Sequence, residues 1–229
     1  MNKPKVDAVE DRFLATVSHE IRTPLNGILG MASLLAETEL TPAQSDYVSA
    51  IRQSGARLLD LLNNVLDYAR MDATGIELEN SETDVRQLAQ EVVELLSPRA
   101  HAKGLDVCVR MATDFPSRTV LDDGRLRQIL FNLIGNAIKF TETGGVLVDL
   151  SVNRDGHSLR IDIIDSGPGL SDEAQSRLFS AFEQAEARHR GIDGGVGLGL
   201  TIVKRLITAM NGDIALTSEP GIGARFRLS

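Results

Sequence analysis

Tryptophan is absent from this 229-residue chain, aromatic residues make up only 4% of it, and cysteine occurs once. A core without large rings must be built from Leu, Ile, Val and Ala, which suits paired helices and small sheets. Cys108 has no partner for an internal disulfide, so no disulfide framework holds the fold. Within the alternating run "LDVCVRM" it is expected to be a buried strand residue. No apolar run approaches the roughly 20 residues of a membrane-spanning helix, and the N-terminus lacks a signal-peptide pattern. The expectation is a cytoplasmic chain, or the cytoplasmic piece of a longer one, with no membrane contact by this segment. Positive charge is also scarce, with 24 Lys and Arg against 32 Asp and Glu for a formal net charge of -8. Such a chain repels phosphate backbones, which excludes nucleic acid as an expected partner.

The first 80 or so residues carry heptad spacing. Leu14, Ile21, Ile28 and Leu35 recur every seven residues with Val17 and Met31 between them, the a/d seam of a helix in a bundle. "TPAQ", Thr41 to Gln44, is a helix start: Thr as N-cap, Pro at the first helical position and Gln three after the cap. A second seam follows through Ile51, Leu58 and Val65, flanked by Val48, Leu62 and Ala69. The intervening "ETEL" loop is short, so the helices are expected to run antiparallel. One hairpin leaves both apolar stripes facing water, and pairing two hairpins into a four-helix bundle removes them. A homodimer is the expectation.

In "TVSHEIRTPLNG" that seam puts His19 at position f, farthest from the packed interface and facing solvent. An incidental surface histidine is the competing reading. Glu20 adjoins it, and Thr23 lies one turn along on the same face. Pro24 supplies no N–H to the Glu20 carbonyl, so a bend is expected just beyond the histidine.

Heptad periodicity stops at "MDATGIELENSETD", a polar connector, and the expected division is residues 1–79 and 80–229. A helix capped by Asp84 follows, with Val85, Leu88, Val92 and Leu95 expected on one face and a stop at Lys103–Gly104. Strands are expected at Leu105–Met111, Val146–Val152 and Leu159–Asp165, the last two forming a hairpin through "NRDG". The helix "DDGRLRQILFNLIGNAIKFT" lies between the first strand and that hairpin, giving an α+β sandwich with helices on one face of a mixed sheet. This helix places Asn132, Asn136 and Lys139 in one line beside the Leu126, Ile129, Leu133 stripe. Mid-helix asparagines are unfavourable unless something binds them; a self-solvating polar face is the plainer reading.

Two glycine clusters favour a ligand. "DSGPG" ends the strand "LRIDIID", with Gly167 and Gly169 expected to let backbone approach a flat ligand beside Asp165. "GGVGLGL" opens the apolar helix "TIVKRLITAM", so its N–H groups and the helix N-terminus can cradle phosphates. Neither the G-x-G-x-x-G fingerprint nor the Walker pattern is present.

In order along the chain, "SHEIRTPLN", "FNLIGNAIKFT", "DSGPG", "LFSAFEQ" and "GGVGLGL" resemble the motifs of the sensor histidine kinase core, of the type common in hybrid kinases of bacteria. The resemblance implies a multidomain chain: an all-α helical hairpin forming a dimeric four-helix bundle, then an α+β sandwich ATP-binding domain of the histidine kinase and Hsp90-like type. It implies ATP and Mg²⁺, autophosphorylation at His19, and transfer to an aspartate of a response-regulator receiver domain, separate or fused in the full-length chain. Asn136 matches the metal-ligand asparagine, Asn132 a second pocket residue, Lys139 a phosphate contact and Asp165 the acceptor for the adenine amino group. Gly195, Gly197, Leu198 and Gly199 match the glycine box, where Val196 stands in place of the usual Thr or Ser. Glu20 is then the general base, and a hinge near residues 72 to 83 gates the reaction. By the same resemblance Thr23 helps orient a water that dephosphorylates the regulator, its competing reading being a hydroxyl bonded to its own helix. Arg188, His189 and Arg190 stand as lid residues near the γ-phosphate, although a solvated basic turn accounts for at least two of them. An ATPase of this fold needs a carboxylate where Asn132 stands. A nucleotide-binding scaffold without kinase activity is the remaining alternative.

Overall fold

The computed structural model describes residues 4–73, 75–153, 158–180 and 197–229, with the side chains of residues 4–19, 70, 72 and 73 outside the description. The chain divides into two compact units, Met1–Gly75 and Ile76–Ser229.

The first unit is a hairpin of two long helices, α1 (Pro4–Ala36) and α2 (Pro42–Ala73). The start of α2 is the reciprocal capping box read from sequence. The Thr41 N–H donates to Gln44 Oε1 at 2.9 Å, and the Gln44 N–H donates to Thr41 Oγ1 at 3.3 Å. Helix α1 runs unbroken through Pro24. The helices are antiparallel: Arg22 Nη2 donates to Asn63 Oδ1 at 2.9 Å near one end, while Leu29 meets Gly55 nearer the other. Their shared interface buries Leu25 and Ala32 from α1 and Val48, Gly55 and Leu66 from α2. The heptad stripe is a different set. Ile28 is 54% exposed and Leu58 47% exposed in one chain, and Ile21, Leu35, Ile51 and Val65 are exposed as well. Leu14 and Val17, expected on that seam, lie outside the described side chains.

The second unit begins with β1 (Ser81–Thr83), which pairs antiparallel with β3 (Thr119–Leu121) as a small ladder. The Glu79 N–H also donates to Asp122 Oδ2 at 2.9 Å. The latter part of the stretch expected to hinge is therefore fastened to this unit. Between the two strands come α3 (Val85–His101) and β2 (Asp106–Met111). After them run α4 (Asp123–Phe140), β4 (Gly145–Val152), β5 (Leu159–Asp165), α5 (Asp172–Arg177), α6 (Gly199–Ala209), β6 (Ile214–Glu219) and β7 (Gly223–Leu228). The main sheet has the order β2-β4-β5-β7-β6, with β2 parallel to β4 and the other neighbours antiparallel. One face is covered by α4, which packs on β4 and β5 where Val146, Val148, Leu150, Ile161 and Ile163 are buried, with α3 on β2 and beside α4, and α6 against α4. This is the expected α+β sandwich, and β4 and β5 form the expected hairpin; its turn, residues 154–157, lies outside the described residues.

Two expectations are corrected. Leu95 is 65% exposed, and Leu96 takes its place in the core with Val85, Leu88, Val92 and Ala100. Steps of three and four from Val85 drift around a helix of 3.6 residues per turn, and by the third turn the inward position has moved one residue on. Cys108 lies in β2 as expected, but it is exposed. Val107 and Val109 are half-buried on the side of the strand that packs on α3, and Cys108 points to the opposite face, which no described helix of this unit covers. Alternation finds the strand without telling which of its faces is covered.

Helices α3 and α4 run side by side in the same direction. Glu91 pairs with Arg127 at 2.8 Å midway, and Lys103 Nζ, just past the end of α3, donates to the carbonyls of Ile138 (2.9 Å), Lys139 (2.6 Å) and Thr141 (3.2 Å) at the end of α4. An ammonium with three donors thus closes the negative end of α4.

Candidate functional site

Helix α4 is the floor of the site. Asp122 caps it, its Oδ1 accepting from the Arg125 N–H at 2.9 Å. One side buries Leu126, Ile129, Leu130, Leu133, Ile134, Ala137 and Ile138. Asn132, Asn136 and Lys139 lie half-buried along another. Asn132 Nδ2 donates to the Gln128 carbonyl at 3.1 Å, which turns its Oδ1 toward Gly199 at the start of α6. At the other end of α4, Thr141 is fully buried, donating its hydroxyl to the Ala137 carbonyl at 2.7 Å. A methyl group on Gly167 would come within 3.4 Å of Thr141 Oγ1 and 2.8 Å of Asp165 Oδ1. The α4 face is thus bracketed by the "DSGPG" loop and by the start of α6. At 1.5 Å per residue the brackets, at Asn132 and Thr141, lie roughly 14 Å apart along the helix.

Asp165 ends β5. Its Oδ1 accepts from the backbone N–H of Gly167 at 2.9 Å and of Ala224 at 3.2 Å. Two fixed donors on one oxygen set the carboxylate's plane and leave Oδ2 without a hydrogen bond among the described residues. Burial pushes the Asp165 carboxyl above its ordinary value, against the opposing pull of those two N–H groups. The glycines of the loop answer to protein rather than to empty space. Gly167 has to be small for its N–H to hold Asp165, and Gly169, at φ 66°, packs directly on the Glu219 carbonyl.

Helix α6 starts without a side-chain cap and without an acidic residue in its first turn, so its N–H groups form an open positive end. Thr201 Oγ1 donates to the Phe179 carbonyl at 3.2 Å, and Lys204 Nζ stands 5.4 Å from the Phe179 ring, which joins the "LFSAFEQ" segment to this helix. Gly197, Leu198 and Gly199 lie at the helix start, whereas Gly195, Val196, Arg188, His189 and Arg190 lie outside the described residues. In the first unit, α1 carries His19, whose side chain is not among those described, and the exposed residues Glu20 and Thr23.

The site therefore combines a desolvated, oriented carboxylate, a line of two amides and an ammonium, and an uncapped helix N-terminus. This set suits a purine at one end and phosphates at the other. Among the described residues no cluster of His, Cys, Asp and Glu could hold a metal alone. A lone amide oxygen, as on Asn136, fits a Mg²⁺ ion whose other ligands are phosphates and water. Sequence reasoning marks Lys103 only as a helix stop, and it does not single out Gln175 or Ser218, nor the hairpin of β6 and β7 that holds Asp165 from behind. The "EPG" turn between two alternating runs was its signal.

A nucleotide-binding α+β sandwich preceded by a helical hairpin is the class that fold and site define. The sequence comparisons agree with it unit by unit. The His Kinase A (phospho-acceptor) domain family matches residues 9–74, and the histidine kinase-, DNA gyrase B-, and HSP90-like ATPase family matches residues 121–229. The signal transduction histidine-protein kinase BarA of Escherichia coli is 42% identical over 223 residues, covering 95% of this chain and 24% of that protein. Sensor histidine kinase GacS of Pseudomonas protegens is 44% identical over 224 residues, covering 96% of this chain and 24% of that protein. Among solved structures, full-length ShkA in complex with AMPPNP matches with a TM-score of 0.78 and 48% identity, over 95% of this chain and 45% of that one. The Acinetobacter baumannii histidine kinase AdeS, at 20% identity and a TM-score of 0.63, is a likeness of fold. This chain belongs to the histidine kinases, and it spans about a quarter of the length of the curated relatives it matches.

Proposed function

We propose that this chain is an ATP-dependent protein-histidine kinase that phosphorylates itself on His19 and passes the phosphoryl group to an aspartate of a response-regulator receiver domain. The observation that carries the proposal is the carboxylate of Asp165, fixed by two backbone N–H groups in the unit that also holds the open start of α6. A carboxylate held so accepts from the adenine amino group, and Gly167 and Gly169 shape its loop. Asn132, Asn136 and Lys139 face the phosphates, which the N–H groups of Gly195, Gly197, Leu198 and Gly199 receive. The similar ShkA chain, solved with AMPPNP, supports a nucleotide of this kind. Mg²⁺ on Asn136 and the phosphate oxygens would neutralise developing charge.

In the transfer, one imidazole nitrogen of His19 forms the bond to the γ-phosphorus as the β–γ bridging P–O bond breaks and ADP departs. Glu20 takes the proton from the other ring nitrogen. Thr23 serves the reverse traffic, helping to orient the water that removes phosphate from the receiver aspartate. The working form is a homodimer in the cytoplasm, paired through the exposed heptad stripes. The functional division is residues 1–79 for dimerisation and phosphoacceptance and 80–229 for ATP. Asn132 stands where an ATPase of this fold needs a water-activating carboxylate, and an amide is no base. Incubation of the intact chain with γ-labelled ATP and Mg²⁺ tests the proposal: label is retained on the protein. A chain that binds ATP and stays unlabelled is the nucleotide-binding scaffold instead.

A further inference from the structure

Behind the "DSGPG" loop lies a fastening that neither the resemblance nor the pocket chemistry accounts for. The loop touches the β6–β7 hairpin along its whole length. At its start, the Ala224 N–H donates to Asp165 Oδ1 at 3.2 Å, and Gly223, at φ 130°, lies against the Asp165 carbonyl with no space for a side chain. In its middle, the Gly221 N–H donates to the Pro168 carbonyl at 2.7 Å. At its end, Ser218 Oγ accepts from the Leu170 N–H at 2.9 Å. The same hydroxyl donates to the Gly223 carbonyl at 2.7 Å, one residue before Ala224. Gln175, on α5, donates from Nε2 to the carbonyls of both Leu170 and Ser218, each at 3.0 Å.

The two donors that aim the Asp165 carboxylate thus come from different segments. Gly167 belongs to the loop and Ala224 to β7. Ser218 Oγ is bonded to both segments at once, and Gln175 fastens Ser218 to the loop a second time. We propose that Ser218 and Gln175 are positioning residues that fix the aim of Asp165 Oδ2, and through it the preference of the site for a purine bearing an amino group. This rests on the reading of Asp165 as the adenine acceptor. Neither residue is assigned a contact with nucleotide; each acts through the backbone that carries Gly167 and Ala224. A carboxylate free to tilt keeps its charge but loses the directed hydrogen bond, so discrimination falls more than general binding does.

The test compares the affinity of the intact chain for ATP with that for purine riboside triphosphate, which has hydrogen in place of the amino group. The unaltered chain prefers ATP, and Asp165→Asn abolishes most of that preference. Ser218→Ala and Gln175→Leu each weaken ATP about tenfold, as for one lost directed hydrogen bond, while the amino-free analogue changes about twofold or less. Ser218→Thr, which keeps the hydroxyl, restores the preference. If Asp165→Asn leaves the preference intact, the adenine reading itself is wrong and the positioning role falls with it. Should Asp165→Asn abolish the preference while Ser218→Ala and Gln175→Leu both keep it, only the positioning role is overturned. An equal loss for both nucleotides in both variants also overturns it, since that marks a general disturbance of the pocket.

Discussion

Leu29 of α1 lies so close to Gly55 of α2 that a methyl group on Gly55 would come within 2.6 Å of Leu29 Cδ2. The contact shows where the hairpin's own interface runs, and the heptad stripe is elsewhere. Ile21, Ile28 and Leu35, like Ile51, Leu58 and Val65, stay exposed when the hairpin is complete. Each such side chain gains about 1.5–3 kcal/mol on full burial, so two hairpins pairing along these stripes have a large driving force. Light scattering of the intact chain is expected to give a dimer. The double substitution Ile28→Glu, Leu58→Glu is expected to give a monomer with unchanged helix content by circular dichroism. A dimer that survives the double change places the interface elsewhere.

Burial raises the Asp165 carboxyl above its ordinary value, which means that the fold favours its protonated form. The stability this contributes is present at acid pH and is lost as pH rises through the raised value. Asp165→Asn carries no charge through that range. The nucleotide-free variant is therefore expected to melt at or above the unaltered chain near neutral pH, the difference closing as pH falls toward the carboxylate range. Its ATP affinity moves the other way, by about 1–3 kcal/mol for a lost buried hydrogen bond. Thermal melts across pH and titration calorimetry check both halves. A variant that is less stable at neutral pH and binds ATP unchanged contradicts both.

The fragment 76–229 keeps β1 and the bond from the Glu79 N–H to Asp122 Oδ2, and it is expected to be a monomer that binds ATP and does not label itself. A fragment beginning at residue 84 strips β3 of its partner and leaves a buried carboxylate oxygen without its donor. The orphaned group alone costs about 1–3 kcal/mol, and each kcal/mol lowers the melting temperature of a domain this size by about 2–4 °C. Equal melting temperatures for the two fragments count against the anchoring of the connector.

What could be read from the chain beforehand was whatever short spacing determines. Thr41 with Gln44 and Asp84 with Gln87 are caps three residues apart, and both are formed. The strands of β4 and β5 and the helix of α4 follow from their periods. Leu95 lies outside the core because steps of three, four and three fall short of three full turns at 3.6 residues per turn, and Cys108 is exposed on a strand whose covered face alternation does not name. The clamp behind Asp165 was not legible at all: Leu170 and Ser218 are 48 residues apart, and Asp165 and Ala224 are 59 apart. Contacts that distant depend on which strands become neighbours, and no local pattern encodes that.

Thr23 is exposed on α1, one turn from His19. Its hydroxyl has no necessary part in removing a proton from the imidazole. Thr23→Ala is expected to keep most autophosphorylation and to lose much of the phosphatase activity toward a phosphorylated receiver domain. Time courses of both reactions decide it, and an equal loss points to a disturbed helix instead.

One histidine of the chain is expected to receive the phosphoryl group. After incubation of the intact chain with γ-labelled ATP and Mg²⁺, the modified residue is mapped by mass spectrometry under basic conditions, where phosphohistidine survives. The label is expected on His19 alone, lost on acid treatment and absent from His19→Gln, whose ATP affinity is unchanged. Label on another residue, or retained in His19→Gln, contradicts the account.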